Sequence, residues 1–190
     1  MSRTPMNTRT ISGSIILALA SVLIVKSPVT RAQTPSSDDP FHEVAFMLGR
    51  GEGTTEGQAG AGTVKRAYES FLRSRFIRVQ NQSTYPPQPK NPKGEVHEDV
   101  GIWSFDTARR RLVLRQFHVE GFVNEYVRDD QSPSDRLVFT TSAIENIPSG
   151  WRARETYVVV GPDEFEEVFE LAPPDKEFEL YSRTRLKRVK

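Results

Sequence analysis

The chain has no cysteine. No disulfide can staple the fold, no thiolate can serve as a nucleophile or zinc ligand, and no cysteine-linked lipid can anchor the protein. Charge of one sign is also missing: 26 basic residues face 25 acidic ones, a balance that gives no support to nucleic-acid binding. The motifs H-E-x-x-H, G-x-S-x-G and G-x-x-x-x-G-K-S/T are all absent. Their absence removes the standard signatures of a zincin, an α/β-hydrolase and a P-loop nucleotide site. No long amphipathic helical pattern separates the apolar segments, so an alternating βαβ architecture is disfavoured. The one long uncharged run, Ile11 to Val25, falls short of the about 20 residues that span a bilayer.

That run has a different use. Arg3 and Arg9 precede it, Lys26 closes it, and Thr30-Arg31-Ala32 follows with small residues at its first and third positions. A basic head, a short apolar body and a small-x-small exit are the parts of a secretory signal peptide. Residues 1–32 are therefore expected to be removed, leaving a protein of the periplasm or exterior with no stable membrane span. The segment carries four cations, Arg3, Arg9, Lys26 and Arg31, and no acid, so its loss turns the net charge from +1 to −3. Residues 33–40, QTPSSDDP, read as a disordered leader, and residues 41–190 as one domain. Phe41 to Leu48 has apolar residues at 41, 44, 45 and 48, which suits a short helix with Asp39 as cap and Pro40 at its first position.

Gly49 to Gly62 is dense in glycine and reads as a place of tight turns and close strand packing. From Thr63 onward the pattern is one of strands: Thr63–Leu72, Arg75–Tyr85, Val100–Phe105, Leu112–Val127, Arg136–Ile144, Trp151–Val160, Glu164–Leu171 and Phe178–Lys187. Counting breaks inside the longest, about eight to ten strands with hairpin-sized gaps are expected, which predicts a mainly β, antiparallel barrel or sandwich. Pro86 to Gly94, PPQPKNPKG, must be a surface loop.

Leu112 to Val127 carries the most chemical information. Its even positions read Leu114, Gln116, His118, Glu120, Phe122, Asn124 and Tyr126, with a break or bulge expected at Gly121. A face mixing aromatics with imidazole, amide and carboxylate suits the semi-polar interior of a small barrel that holds one ligand. A second polar group, EVHEDVG, places His97 and Asp99 on one face of an extended segment. Were the two segments neighbours, His97 and His118 with Asp99 or Glu120 would make a weak alternative metal set, or a histidine general base with an orienting carboxylate. In DEFEEVFEL, Glu167 shares a face with Phe165, Phe169 and Leu171, and the segment reads first as a solvated strand.

The strings LGRGEGTTEG (48–57), NPKGEVHEDVGIWSFD (91–106), LRQFHVEGFVNEYV (114–127), IPSGWRARETY (147–157) and FEEVFELA (165–172) occur together. With them the chain resembles an uncharacterised bacterial family of calycin-like, lipocalin-like β-barrels. That family is distantly similar to nitrobindin-type haem-binding barrels and to fatty-acid-binding proteins. The resemblance implies a closed antiparallel barrel with a short N-terminal helix. Related barrels begin with G-x-W-x-G; here Gly49, Gly51 and Gly53 hold the pattern, and glycine stands in the tryptophan's place. Nitrobindin-type barrels ligate haem iron through a histidine of the last strand, and the segment from Phe178 onward has none. Tyr181 falls near that place, but plain alternation turns it away from the interior unless a bulge intervenes.

The expectation is an exported barrel for a small, mostly apolar ligand, with no resident cofactor and no reaction assigned. Trp103, Phe117, Phe122 and Tyr126 are expected to supply contact area, while Gln116, His118 and Asn124 orient one polar group. A hydrolase or isomerase using His97 or His118, and a sealed interaction module of the envelope, are the alternatives.

Overall fold

The computed structural model describes residues 39–189. The expected signal peptide and all but the end of the leader lie outside the described residues. A 3₁₀ helix, His42–Met47, is followed by ten strands: β1 Gly49–Gly57, β2 Gly60–Phe71, β3 Phe76–Tyr85, β4 Glu95–Asp106, β5 Arg111–His118, β6 Val123–Arg128, β7 Leu137–Glu145, β8 Arg152–Gly161, β9 Glu164–Ala172 and β10 Glu179–Val189. Each strand pairs antiparallel with the next, and β1 pairs with β10, so the sheet closes into an up-and-down barrel. Closure leaves no edge strand open to a foreign partner. Among the described residues no helix is long and apolar enough to cross a membrane.

The glycine-rich stretch is the β1–β2 hairpin, with its tight turn at Gln58 and Ala59, and close packing explains the glycines of β1. A Cβ added at Gly53 would overlap the Arg185 carbonyl oxygen of β10, and one at Gly57 would overlap that of Tyr181. Glycine thus lets β1 approach β10 at the seam that closes the barrel. Gly53→Ala is expected to lower stability by about 1–3 kcal/mol, the usual cost of overpacking. A urea denaturation midpoint equal to that of the parent would show that the seam does not depend on the missing Cβ.

The stretch expected as one long strand is the hairpin β5–β6. Its register pairs Gln116 with Asn124 and Leu114 with Tyr126, so even positions stay on the inner face across the turn. Gly121 has φ +90° in that turn, where glycine carries no side-chain penalty. The helix starts at His42, later than expected, and Asp39 Oδ1 accepts the Phe41 amide at 2.9 Å.

Alternation fills the lumen in layers. At the helix end Phe41, Val44 and Met47 are buried with Leu112, Phe165 and Leu186. Next comes an aromatic layer in which the Trp103 and Phe139 rings meet edge to face at 4.9 Å between centroids, with Tyr157 beside both. Beyond it lies a polar layer of Arg66, Asn81, Glu155 and Glu167. The rim at the far end carries His97, His118, Tyr85 and Glu95. Outside, ion pairs such as Arg154–Glu170 and Arg115–Glu125 bridge neighbouring strands. Exposed pairs of this kind contribute about 0–1 kcal/mol each.

Candidate functional site

The rim opposite the helix gathers the residues with chemical capacity. Strands β4 and β5 are neighbours, and Asp99 lies directly across from His118. The two imidazoles therefore meet: His118 Nδ1 is 3.4 Å from His97 Nε2. His97 Nε2 is also 3.5 Å from Asp99 Oδ2, and His97 Nδ1 is 2.9 Å from Glu120 Oε1. Donor atoms of His97, His118 and Glu120 all fall within 4.8 Å of one another. Phe122 stacks on the His118 ring at 4.1 Å between centroids and 18° between planes.

Beneath the histidines the polar contacts continue. Asn124 Nδ2 donates to the Tyr126 hydroxyl at 3.0 Å and lies 3.3 Å from His118 Nε2. Asn81 Nδ2 donates to Asp99 Oδ2 at 2.7 Å, and Arg66 Nε donates to Asn81 Oδ1 at 2.9 Å. Arg66 also forms a buried ion pair with Glu167. The Tyr157 hydroxyl donates to a carboxyl oxygen of Glu155.

Some polar groups in this layer have no partner. Asp99 Oδ1, Gln116 Oε1 and Asn124 Oδ1 are buried acceptors without a hydrogen bond. They stand on the adjacent strands β4, β5 and β6, and Gln116 lies directly across from Asn124. Buried polar groups are normally satisfied, and an orphan costs about 1–3 kcal/mol. Three of them on one wall therefore ask for a group that donates hydrogen bonds or carries positive charge.

The electrostatics divide the two histidines. Hydrogen bonding to Asp99 pushes His97 up to about 9 against the opposing effect of burial, and Glu120 adds to the rise. His118 is held below its ordinary value, chiefly by burial. Burial pushes the Asp99 carboxyl up, but His97, Arg66 and His118 together bring it below the usual range.

The residues expected to form the site are only partly brought together. Gln116, His118, Phe122, Asn124 and Tyr126 gather on the β5–β6 hairpin, with His97, Asp99 and Glu120 beside them. Trp103 is buried in the aromatic layer at 1% exposure, below the rim. Phe117 points outward at 46% exposure, because its neighbours His118 and Gln116 take the inner face. There it borders a groove of about 600 Å³ on the outer surface, in a row with Gln80 and Val100. Asp99 and His118 also border that groove. Arg66 and Glu155 belong to the interior although the sequence reading did not single them out, and Glu167, expected on a solvated strand, is buried with them. Each shares strand parity with apolar neighbours, Arg66 with Val64 and Tyr68, and Glu155 with Ala153 and Tyr157.

At Tyr181 the pairing of β10 with β9 shifts between Leu180 and Ser182. The bulge reverses the parity that plain alternation assigns. Leu180 is exposed, and the Tyr181 ring meets Phe169 edge to face at 5.4 Å between centroids. Tyr181 is nevertheless a poor iron ligand here. Burial pushes its phenol up and the charges of Glu95 and Glu120 push the same way, which disfavours tyrosinate. β10 contains no histidine. These residues do not fit a haem held from the last strand.

A solved barrel has the same fold. The chain is similar to the crystal structure of Rv2717c from M. tuberculosis, with a TM-score of 0.59 over 80% of this chain and 98% of that one. Sequence identity is 14%, so the likeness concerns the fold alone. No family model matches the chain, and no curated protein does.

Proposed function

We propose that this is an exported, calycin-like barrel of the periplasm or exterior that binds a small ligand at the rim opposite its helix. The observation that carries the reading is the wall of three unpaired buried acceptors, Asp99 Oδ1, Gln116 Oε1 and Asn124 Oδ1. They suit the donating polar end of a ligand. Phe122, Phe169, Ile144 and Tyr181 offer apolar surface for its body. The depth of the site is limited, because the Arg66–Glu167 pair and the aromatic layer fill the lumen below. A small molecule with one polar end suits this space better than a long acyl chain.

Native mass spectrometry of the protein recovered from its own host compartment tests the reading. A stoichiometric small molecule, lost on denaturation, is the expected result. Phe122→Ala is expected to lower its affinity about tenfold, the effect of losing one buried aromatic contact of roughly 1.4 kcal/mol. A bare-chain mass from native material would overturn the carrier reading.

A further inference from the structure

We propose that the rim takes a primary ammonium group, with the carboxylate of Asp99 as its anchor and the side-chain carbonyls of Gln116 and Asn124 as its other acceptors. The inference rests on the reading of the rim as a binding site and names the chemical class of the ligand's polar end.

Charge at the rim is unbalanced. Hydrogen bonding to Asp99, and then to Glu120, lifts His97 to about 9 against the effect of burial, so its ring is a cation at neutral pH. The ring lies 3.5 Å from Asp99 Oδ2 and 2.9 Å from Glu120 Oε1, and one imidazolium thus serves two carboxylates. His118, held below its ordinary value by burial, adds no charge. In the layer below, Arg66 is matched by Glu167, and Glu155 keeps its proton at neutral pH. Asp99, Glu120 and Glu167 therefore face only His97 and Arg66, and one negative charge is left over. A buried charge without a counterpart is costly, and a monocation restores the balance.

Donor count selects the class of cation. Asp99 Oδ1, Gln116 Oε1 and Asn124 Oδ1 have no hydrogen-bond partner, and Asp99 and Asn124 are only 8% and 2% exposed. The register sets these residues side by side. Asp99 lies across from His118, Gln116 is the next inward residue of β5, and Asn124 lies across from Gln116. A primary ammonium carries three N–H donors on one small atom and no acceptor. A hydroxyl has one donor, and a quaternary ammonium has none. Asp99 is the anchor because a carboxylate offers acceptors only, whichever way the neighbouring amides turn. Asn81 Nδ2 donates to Asp99 Oδ2 at 2.7 Å, which fixes the carboxylate and leaves Oδ1 for the ligand.

Benzylammonium, benzyl alcohol, benzyltrimethylammonium and benzoate share a ring and differ at the polar end. Titrating each into the isotope-labelled protein at neutral pH tests the proposal, read on the side-chain amide signals of Gln116 and Asn124. Benzylammonium is expected to move both signals and to bind about tenfold or more tightly than the other three, the effect of one charge-assisted hydrogen bond. Asp99→Asn should remove that advantage, and Gln116→Met should weaken benzylammonium about fivefold. Glu98→Gln, on the outward face of β4, should change nothing. Near-ultraviolet circular dichroism identifies a variant that fails to fold, and Gln116→Met decides should Asp99→Asn be that variant. Benzyl alcohol or benzoate binding as tightly as benzylammonium would overturn the charge of the ligand. Equal binding of benzyltrimethylammonium would overturn the three-donor match. Unchanged affinity in a folded Asp99→Asn chain, or an equal loss in Glu98→Gln, would overturn the anchor. A neutral or anionic molecule retained in native mass spectra would overturn the ammonium and leave the carrier reading standing. A bare-chain mass with no response to any of the four probes would remove both.

Discussion

Replacing Glu167 by glutamine is expected to destabilise the barrel by about 3–5 kcal/mol, the cost of breaking a buried ion pair from one side. The side chains of Arg66 and Glu167 are 9% and 10% exposed, so water cannot take over the missing charge. Arg66 would keep Asn81 and the Tyr68 hydroxyl, which lie 2.9 and 3.2 Å from its nitrogens, but neither carries a charge. Replacing both partners with apolar residues of similar length, Arg66→Met with Glu167→Leu, should recover most of the loss. Such pairs owe much of their mutational cost to the partner left behind. Chemical denaturation of the two single variants and the double variant gives the cycle. A Glu167→Gln loss below about 1 kcal/mol would mean that solvent reaches the pair. The pair also reaches the site, since Arg66 holds Asn81 and Asn81 holds Asp99. A stable double variant would therefore separate the stability of the barrel from the positioning of Asp99.

Glu167 also shows how far the sequence could be read. Alternation groups it with Phe165, Phe169 and Leu171, and that grouping is what the barrel contains. Alternation does not say which face is inside, and the acids on both sides favour water. What settles the matter is Arg66, 101 residues away in the chain and brought close only by barrel closure. The hairpin of β5 and β6 was more legible. Even positions from Leu114 to Tyr126 keep the inner face because the register preserves parity through the turn. The pairing of His97 with His118 depended on β4 and β5 being neighbours, which the short basic turn between them makes natural. Phe117 was misplaced for the opposite reason: it is large and aromatic, yet its parity sends it outside. Tyr181 depended on a single bulged residue, a local departure that composition does not signal.

A second large effect is expected at Glu155, and its sign follows from burial. Glu155 is 3% exposed, and burial, reinforced by the charge of Glu167, pushes its carboxyl up to about 8. Its folded value thus lies above its unfolded one. At low pH both states hold the proton. As pH rises past the unfolded value, the unfolded chain releases the proton first, so stability falls until the folded carboxyl also ionises near pH 8. Glutamine cannot ionise, can still accept from the Tyr157 hydroxyl and has nearly the same shape. Glu155→Gln should therefore be close to neutral at about pH 5 and should exceed the parent by about 2–4 kcal/mol at about pH 9. Urea denaturation of both proteins across that range gives the difference curve directly, and titrating groups that do not interact with Glu155 cancel in it. A difference that stays flat with pH would mean that Glu155 is already ionised in the folded barrel at neutral pH. The polar layer would then hold two buried carboxylates against Arg66 alone. A rising difference would instead leave the ion pair of Arg66 and Glu167 as the layer's main fixed charges, with Glu155 kept neutral beside Tyr157.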